Sequence, residues 1–281
     1  MKDKFQQIYR NSIDNPEDFW QKNSEDIFWF KKPSKILNKS NHPFYKWYED
    51  GITNTCYNAL DIHIDNGKGD KTALIYDSPI TGNKSKHTYK ELKDKVSKFA
   101  GALLNQGVKK GDRVIIYMPM IPEAVVAMLA CGRIGAIHSV VFGGFASNEL
   151  ASRIDDSKAK ILLTASCGFE PSRTVEYKPL VDEALKLAKH KVERVIFFQR
   201  KGNEVKLNPP VEISWEEALA NSKDTDCVEM NSNDYAYILY TSGTTGIPKG
   251  IVRDIGGHIV ALKWTMKNIY NIDEEDVWWS A

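Results

Sequence analysis

The sequence predicts an α/β fold built on largely parallel sheets that are flanked by helices. Continuous apolar runs are typical of strands buried on both faces, and such runs occur at 113–118, 136–142, 160–164 and 194–198. Segments with helical periodicity lie between them, and this alternation is the pattern of a parallel sheet covered by helices. The 281 residues are enough for one large α/β domain or two smaller ones.

Capping residues mark where the helices begin. Thr88 and Glu91 match a capping box before a helix that runs to about residue 106, where Gly107 follows. Ser214 and Glu217 match a second capping box before a short helix. Further helices are predicted over 122–133, 147–156, 180–190 and 258–270, and from Pro16 with Asn15 as its N-cap.

The remaining segments are assigned by composition. Strands are predicted at 72–76, 235–239 and 251–252, and the run 277–280 is strand-like. Polar residues at 200–212 predict a loop. The first 48 residues are polar and rich in aromatic side chains, which predicts an extension anchored by its aromatics on a neighbouring domain.

Bulk composition excludes several classes of protein. Lys and Arg number 38 and Asp and Glu 37, so the net charge of +1 gives no case for binding nucleic acid or an anionic membrane. No apolar run approaches the roughly 20 residues that span a bilayer. The cysteines lie far apart in sequence, which predicts no disulfide, no zinc site and a reducing cytoplasm; they are Cys56, Cys131, Cys167 and Cys227.

Residues 240–250 are the strongest candidate for a functional site. The apolar run 235–239 leads into Tyr-Thr-Ser-Gly-Thr-Thr-Gly-Ile-Pro-Lys-Gly. Glycines let the backbone approach a ligand closely, hydroxyls donate to anionic oxygens, and a lysine is a common phosphate partner. The pattern predicts a polyphosphate loop between two strands; the residues concerned are Thr241, Ser242, Gly243, Thr244, Thr245, Gly246, Lys249 and Gly250.

Two other interpretations of this loop have to be weighed. A Walker A loop needs a different glycine spacing and a Ser or Thr after the lysine, where this chain has Gly250, so a P-loop phosphotransferase is disfavoured. A simple Gly- and Thr-rich turn between two strands stays open as the alternative.

The loop resembles the phosphate-loop signature of the adenylate-forming, or AMP-binding, enzymes. Segments 117–124, 142–145 and 153–156 are similar to short-chain acyl-CoA synthetases of the acetyl and propionyl types. Segments 54–61 and 251–258 are closer to the propionyl type. The resemblance implies a domain plan of an N-terminal extension over 1–62 and an AMP-binding domain over 63–281.

The resemblance also implies an activity and its ligands. It implies that acetate or propionate, ATP and CoA react to acyl-CoA, AMP and pyrophosphate, with Mg²⁺ on the phosphates and no protein metal site. Thr241 and Lys249 would carry catalysis by holding the departing pyrophosphate. Segment 168–173 matches a family contact to CoA, which makes Arg173 a candidate, although Glu170 stands where acetyl-CoA synthetases often have an arginine. A solvated surface charge is the alternative for Arg173.

The resemblance covers only the first half of a typical family member. The family's adenine, ribose and acyl-pocket segments and its mobile C-terminal domain have no counterpart in residues 1–281. The expectation is therefore a fragment, inactive without a complementing C-terminal half. A non-catalytic polyphosphate-binding chain is the alternative function.

Overall fold

The computed structural model describes residues 2–241 and 248–279, which form two compact units. The larger unit comprises Thr55–Val228 and Tyr235–Arg253, and the smaller comprises Met1–Asn54, Glu229–Asp234 and Asp254–Ala281. No helix in these described ranges is long and apolar enough to cross a membrane.

The helices and strands of the described residues are as follows. The helices are Lys2–Asp14 (α1), Pro16–Asn23 (α2), Tyr89–Asn105 (α3), Pro122–Arg133 (α4), Ser147–Ser157 (α5), Tyr177–Leu187 (α6), Trp215–Leu219 (α7) and Gly256–Asn268 (α8). The strands are Leu37–Asn38 (β1), Lys46–Trp47 (β2), Ile52–Thr53 (β3), Thr72–Ser78 (β4), Asn83–Thr88 (β5), Arg113–Met118 (β6), Ile137–Phe142 (β7), Ile161–Ala165 (β8), Cys167–Glu170 (β9), Arg173–Glu176 (β10), Arg194–Phe198 (β11), Glu212–Ser214 (β12), Met230–Asn231 (β13), Tyr235–Thr241 (β14) and Lys249–Asp254 (β15).

A seven-stranded sheet organises the larger unit, with strand order β12-β11-β8-β6-β7-β14-β15. The five pairs from β12 to β14 are all parallel. Alternate residues of one strand lie in two separate cores: Ile116 packs with the core under α3, α4 and α7, and Ile115 with the core under α5 and α6. Because successive strand side chains point to opposite faces, helices cover both faces of the sheet. The predicted α/β fold class is confirmed.

Local sequence signals locate several elements correctly. The Thr88 hydroxyl accepts from the Glu91 amide at 3.2 Å, and the Glu91 carboxylate accepts from the Thr88 amide at 2.8 Å, so the first capping box is confirmed. The Ser214 hydroxyl accepts from the Glu217 amide at 3.0 Å at the start of α7. The predicted strands from 72 to 252 are all present.

Other boundaries differ from the prediction for physical reasons. Helix α6 begins at Tyr177 and not at 180, because a proline such as Pro179 is tolerated in the first turn, where its missing amide has no partner to lose. Strand β12 begins at Glu212, the last residue of the predicted loop at 200–212, and pairs with β11. Two hairpins were not predicted. In the first, β4 pairs with β5, the polar segment 83–88, and in the second, β9 and β10 pair over four residues each. Their polar or short sequences give no apolar strand signal.

The smaller unit is held by aromatic side chains. Trp264 of α8 packs against Phe19 and Trp20 of α2 with ring centroids 5.9 Å apart, and Trp29 packs on Tyr48 at 5.5 Å. Pro16 begins α2 as predicted, although the Asn15 side chain makes no capping hydrogen bond. Helix α8 begins at Gly256 and ends at Asn268, two residues before the predicted bounds at each end.

The prediction of a strand near the end of the chain is wrong for the described residues 277–279. Val277, Trp278 and Trp279 belong to no strand and are 73%, 50% and 78% exposed. The Trp278 ring packs against Tyr270, with centroids 4.8 Å apart. An apolar run forms a strand only where a neighbouring strand completes its hydrogen bonds, and none of the described strands does so here.

Candidate functional site

Several parallel strands end along one edge of the seven-stranded sheet. Met118 of β6 is in register with Phe142 of β7, and these are the last residues of the two strands. Strand β14 is parallel to β7, with Tyr237 opposite His138, and both strands continue for four more residues. Thr241 therefore leaves the sheet beside Phe142, at the carboxyl edge where open α/β sheets bind ligands.

The predicted phosphate loop begins and ends on two neighbouring strands. Thr241 is the last residue of β14, Lys249 is the first residue of β15, and both are exposed. A hydroxyl and an ammonium group on paired strands fit a polyphosphate, which takes hydrogen bonds and positive charge. The central residues of the predicted loop lie outside the described residues; they are Ser242, Gly243, Thr244, Thr245 and Gly246.

Gly250 has a packing role that its place in the motif did not indicate. A Cβ atom at this position would lie 3.1 Å from Cγ2 of Ile238 and 3.2 Å from the Tyr240 ring. These distances are tighter than normal van der Waals contact. The absence of a side chain at Gly250 therefore allows β15 to pack closely on β14.

Strand β14 is anchored just before the loop. The Tyr240 hydroxyl donates to Oδ2 of Asp156 at 2.6 Å, and the Arg153 guanidinium lies over the Tyr240 ring at 5.3 Å. Arg153 in turn pairs with Glu149 at 2.7 Å. Burial raises the pKa of the Tyr240 hydroxyl and Asp156 raises it further, so it stays protonated as a donor. The 153–156 segment singled out by sequence thus positions the end of β14.

A glycine turn follows β7 at the same edge. Gly144 has φ +92°, a conformation that favours glycine. A Cβ on Gly143 would collide with the Tyr177 hydroxyl and lie 2.8 Å from the Met118 carbonyl oxygen, and one on Gly168 would lie 2.5 Å from the same hydroxyl. Two glycines from two strand ends therefore close on Tyr177, a residue that no sequence signal marked. This packing accounts for Gly143 without a ligand.

Tyr117 of β6 forms a hydrogen bond to the backbone of the glycine turn. Its hydroxyl donates to the Phe145 carbonyl at 2.7 Å, and its ring lies 5.0 Å from that of Tyr177. Burial raises the pKa of Tyr117 to about 12, so the hydroxyl remains a hydrogen-bond donor at neutral pH. The backbone of the turn is therefore fixed by a side chain of β6.

Arg173 lies on the hairpin β9–β10, which follows the carboxyl end of β8. Its Nε atom is 2.8 Å from Oε2 of Glu170, directly opposite in register, and the two side chains are 69% and 46% exposed. The neighbouring acid offsets part of the positive charge that a CoA phosphate would meet. Arg200 packs over Phe169 of the same hairpin at 4.6 Å and adds a second cation that the sequence did not point to.

A cavity of about 320 Å³ opens beside the start of α4 and the end of β11. Glu123, Lys95 and Arg200 line it together with the hairpin β4–β5. Burial raises the pKa of the Glu123 carboxyl. The lining residues come from segments far apart in sequence, so only the folded chain brings them together.

Comparisons with known proteins agree with this architecture. The family model described as AMP-binding enzyme matches residues 63–281, most of the chain. The chain belongs to the AMP-binding enzyme family. A second model, described as the N-terminus of acetyl-coenzyme A synthetase, matches residues 5–59. The predicted family resemblance is confirmed.

Individual relatives indicate the branch of the family. The mitochondrial acyl-CoA synthetase short-chain family member 3 of Homo sapiens is 53% identical over 96% of this chain, and the acetyl-coenzyme A synthetase of Xylella fastidiosa is 42% identical over 98%. The solved acetoacetyl-CoA synthetase from Streptomyces lividans superposes with a TM-score of 0.85 at 26% identity over 95% of this chain. The chain spans 40%, 43% and 41% of the lengths of these three proteins.

Proposed function

We propose that this chain supplies the phosphate-binding part of an AMP-forming short-chain acyl-CoA synthetase. The observation that carries the proposal is the placement of Thr241 and Lys249 on paired strands at the ligand-binding edge of the sheet. Family membership and the similarity to acetyl-coenzyme A synthetases support it. The proposed domain plan keeps an N-terminal extension over 1–62 and an AMP-binding domain over 63–281.

The proposed reaction has two steps, and the chain's residues act on the phosphates. A carboxylate oxygen attacks the α-phosphorus of ATP and pyrophosphate leaves, and the thiol of CoA then attacks the acyl carbon and releases AMP. The Thr241 hydroxyl and the Lys249 ammonium group hold the oxygens of the departing pyrophosphate, where negative charge accumulates. Mg²⁺, when bound, neutralises phosphate charge.

The finer assignments are part of the same proposal. Ser242, Gly243, Thr244, Thr245, Gly246 and Gly250 complete the phosphate loop, and Arg173 contacts CoA. Acetate or propionate is the acyl substrate, and the propionyl type is favoured by the 54–61 segment. A cytoplasmic location stays a prediction, since the human relative is described as mitochondrial.

Titration calorimetry with MgATP tests the phosphate loop in the 281-residue chain. We expect Lys249→Ala to weaken binding about 10- to 100-fold, because a hydrogen bond to a charged group contributes about 1.5–3 kcal/mol. The matched control is Lys186→Ala, which removes a lysine of α6 that is 76% exposed. This variant should leave the affinity for MgATP unchanged. Equal affinities for the wild type and the Lys249 variant would refute the assignment.

A second candidate function is a polyphosphate-binding chain without catalysis. It rests on the same exposed hydroxyl of Thr241 and ammonium group of Lys249. Exchange of labelled pyrophosphate into ATP, measured with acetate and with propionate, separates the two candidates. Exchange that depends on the carboxylate supports the synthetase, whereas MgATP binding without exchange supports the second candidate.

A further inference from the structure

Two cysteines that are 171 positions apart in sequence meet inside the larger unit. The Sγ atoms of Cys56 and Cys227 and a carboxylate oxygen of Asp61 all lie within 4.8 Å of one another. Nη1 of Arg133 is 3.5 Å from the Cys56 sulfur, 3.1 Å from the Cys227 sulfur and 2.8 Å from Oδ2 of Asp61. We name these four residues the Arg133 cluster.

The Arg133 cluster has the ligand types of a metal site, but its central cation is already present. Nη2 of Arg133 also donates to Oδ1 of Asp61 at 3.0 Å, and the arginine side chain is fully buried. The guanidinium group stays protonated in proteins, so it cannot give up its charge to a metal ion. A divalent ion on the same three atoms would face this fixed charge at close range. The cluster is therefore better suited to thiol chemistry than to metal binding.

A cation beside a pair of thiols favours a thiolate, the reactive form of cysteine. The hydrogen bond from Cys227 and the charge of Arg133 lower the pKa of Cys56, although burial and the negative charge of Asp61 oppose them. Because Cys227 donates this hydrogen bond, Cys56 is the sulfur that ionises first and Cys227 keeps its proton. Cys227 is partly exposed in the segment after α7, and this is the side from which a small molecule would approach the cluster.

We propose that Cys56 and Cys227 are a reversible oxidation site, closed to a disulfide by hydroperoxides. The thiolate attacks one oxygen of hydrogen peroxide and the O–O bond breaks, which gives a sulfenic acid and a hydroxide that takes the partner's proton as water. The partner sulfur, now a thiolate, attacks the sulfenic sulfur, the S–O bond breaks, and the oxygen leaves as hydroxide. This hydroxide becomes a second water by taking from solvent the proton that the first thiol released on ionising. Two thiols lose two electrons to one peroxide, and the products are one disulfide and two waters.

The geometry permits this bond with modest movement. A disulfide needs sulfurs about 2 Å apart, and the two sulfurs here already lie within 4.8 Å of one another. The chain carries its own comparison residue in Cys131, which is fully buried in the core under α3 and α4. Burial raises the pKa of the Cys131 thiol to about 12, so it is an unreactive reference within the same chain.

The test is peroxide treatment of the folded 281-residue chain, followed by proteolysis without reductant and mass spectrometry. We expect one equivalent of hydrogen peroxide to remove two of the four thiols and to yield a linked peptide pair containing Cys56 and Cys227. A thiol reductant should restore both. Oxidation of this pair should be at least about tenfold faster than that of Cys131, since thiolate fraction changes tenfold for each pKa unit.

Single variants separate the two chemical steps. In Cys227→Ser we expect a sulfenic acid on Cys56 that a dimedone probe traps, and no linked peptide. Cys131→Ser is the matched control and should oxidise like the wild type. The proposal is overturned if oxidation falls equally on Cys131 and Cys167, if only links between chains form, or if zinc binds at one equivalent and blocks both thiols.

Discussion

The charged side chains are exposed at the carboxyl edge of the sheet and buried in the Arg133 cluster. At the edge, Lys249 is exposed and Arg173 is 69% exposed with one acid beside it. In the Arg133 cluster, the arginine is fully buried and Asp61 is 5% exposed. Exposed charges contribute little to stability and are available to a ligand, whereas buried ones are costly to leave unpaired. The edge is thus suited to binding and the cluster to holding the chain in place.

Removing the central cation should have the largest effect of all the substitutions considered. In Arg133→Met, the buried Asp61 carboxylate loses its bidentate partner, and breaking such a pair costs about 3–5 kcal/mol. We expect that loss in the free energy of unfolding, measured by urea denaturation. Arg173→Met at the edge is the matched control and should change it by less than about 0.5 kcal/mol. Similar losses in the two variants would contradict the contrast.

A half-buried histidine of β7 extends the contrast to pH. Burial lowers the pKa of His138 to about 4, and its Nδ1 has no hydrogen-bond partner within the described part of the chain. The unfolded chain binds this proton below a pH of about 6.5. The stabilising effect of the neutral ring is therefore complete above pH 6.5 and decreases as the pH falls towards 4.

His138→Gln should remove this pH dependence. The wild type should lose up to about 3 kcal/mol of unfolding free energy between pH 6.5 and 4 through this group, since one pKa unit corresponds to about 1.4 kcal/mol. Denaturation curves at several pH values give the measurement. His42→Gln, at an exposed histidine, should follow the wild type. An unchanged slope in the His138 variant would show that another group titrates.

Two glycines at the carboxyl edge should differ in how well they tolerate an added methyl group. Gly143→Ala places a methyl group against the Tyr177 hydroxyl and the Met118 carbonyl, and overpacking of this kind costs about 1–3 kcal/mol. Gly250→Ala meets Ile238 and Tyr240 only at 3.1–3.2 Å and should cost less. Thermal unfolding of both variants compares them. A larger loss at Gly250 would reverse the order.

Local sequence signals predicted most of the sheet because the fold follows from local patterns. The buried strands carry continuous apolar runs, and Thr88 and Glu91 form the capping box that their spacing indicates. The loop motif predicted a connection between two strands, and the structure extends those strands to Thr241 and Lys249. Such features depend on residues close together in the chain.

The sequence did not predict features that depend on distant residues. Cys56 and Cys227 have no motif spacing, and only the packing of Arg133 between them brings them together. Tyr177 meets Gly143 and Gly168 for the same reason. The strand prediction for segment 277–279 is wrong for a related reason. Its apolar pattern is typical of a strand, but no described strand pairs with it. Pairing partners are a property of the whole fold and not of a local run.

The order of strands in the sheet has a consequence during protein synthesis. Strands β6, β7, β8, β11 and β12 are complete by residue 214, but β14 pairs with β7 only through residue 237. The edge of β7 therefore stays unpaired until 99 more residues after His138 have been synthesised. This takes roughly 5–20 s at the usual elongation rate. An unpaired strand edge is a template for association with other chains. The strand that leads into the proposed phosphate loop is thus also the one that pairs with this edge during synthesis.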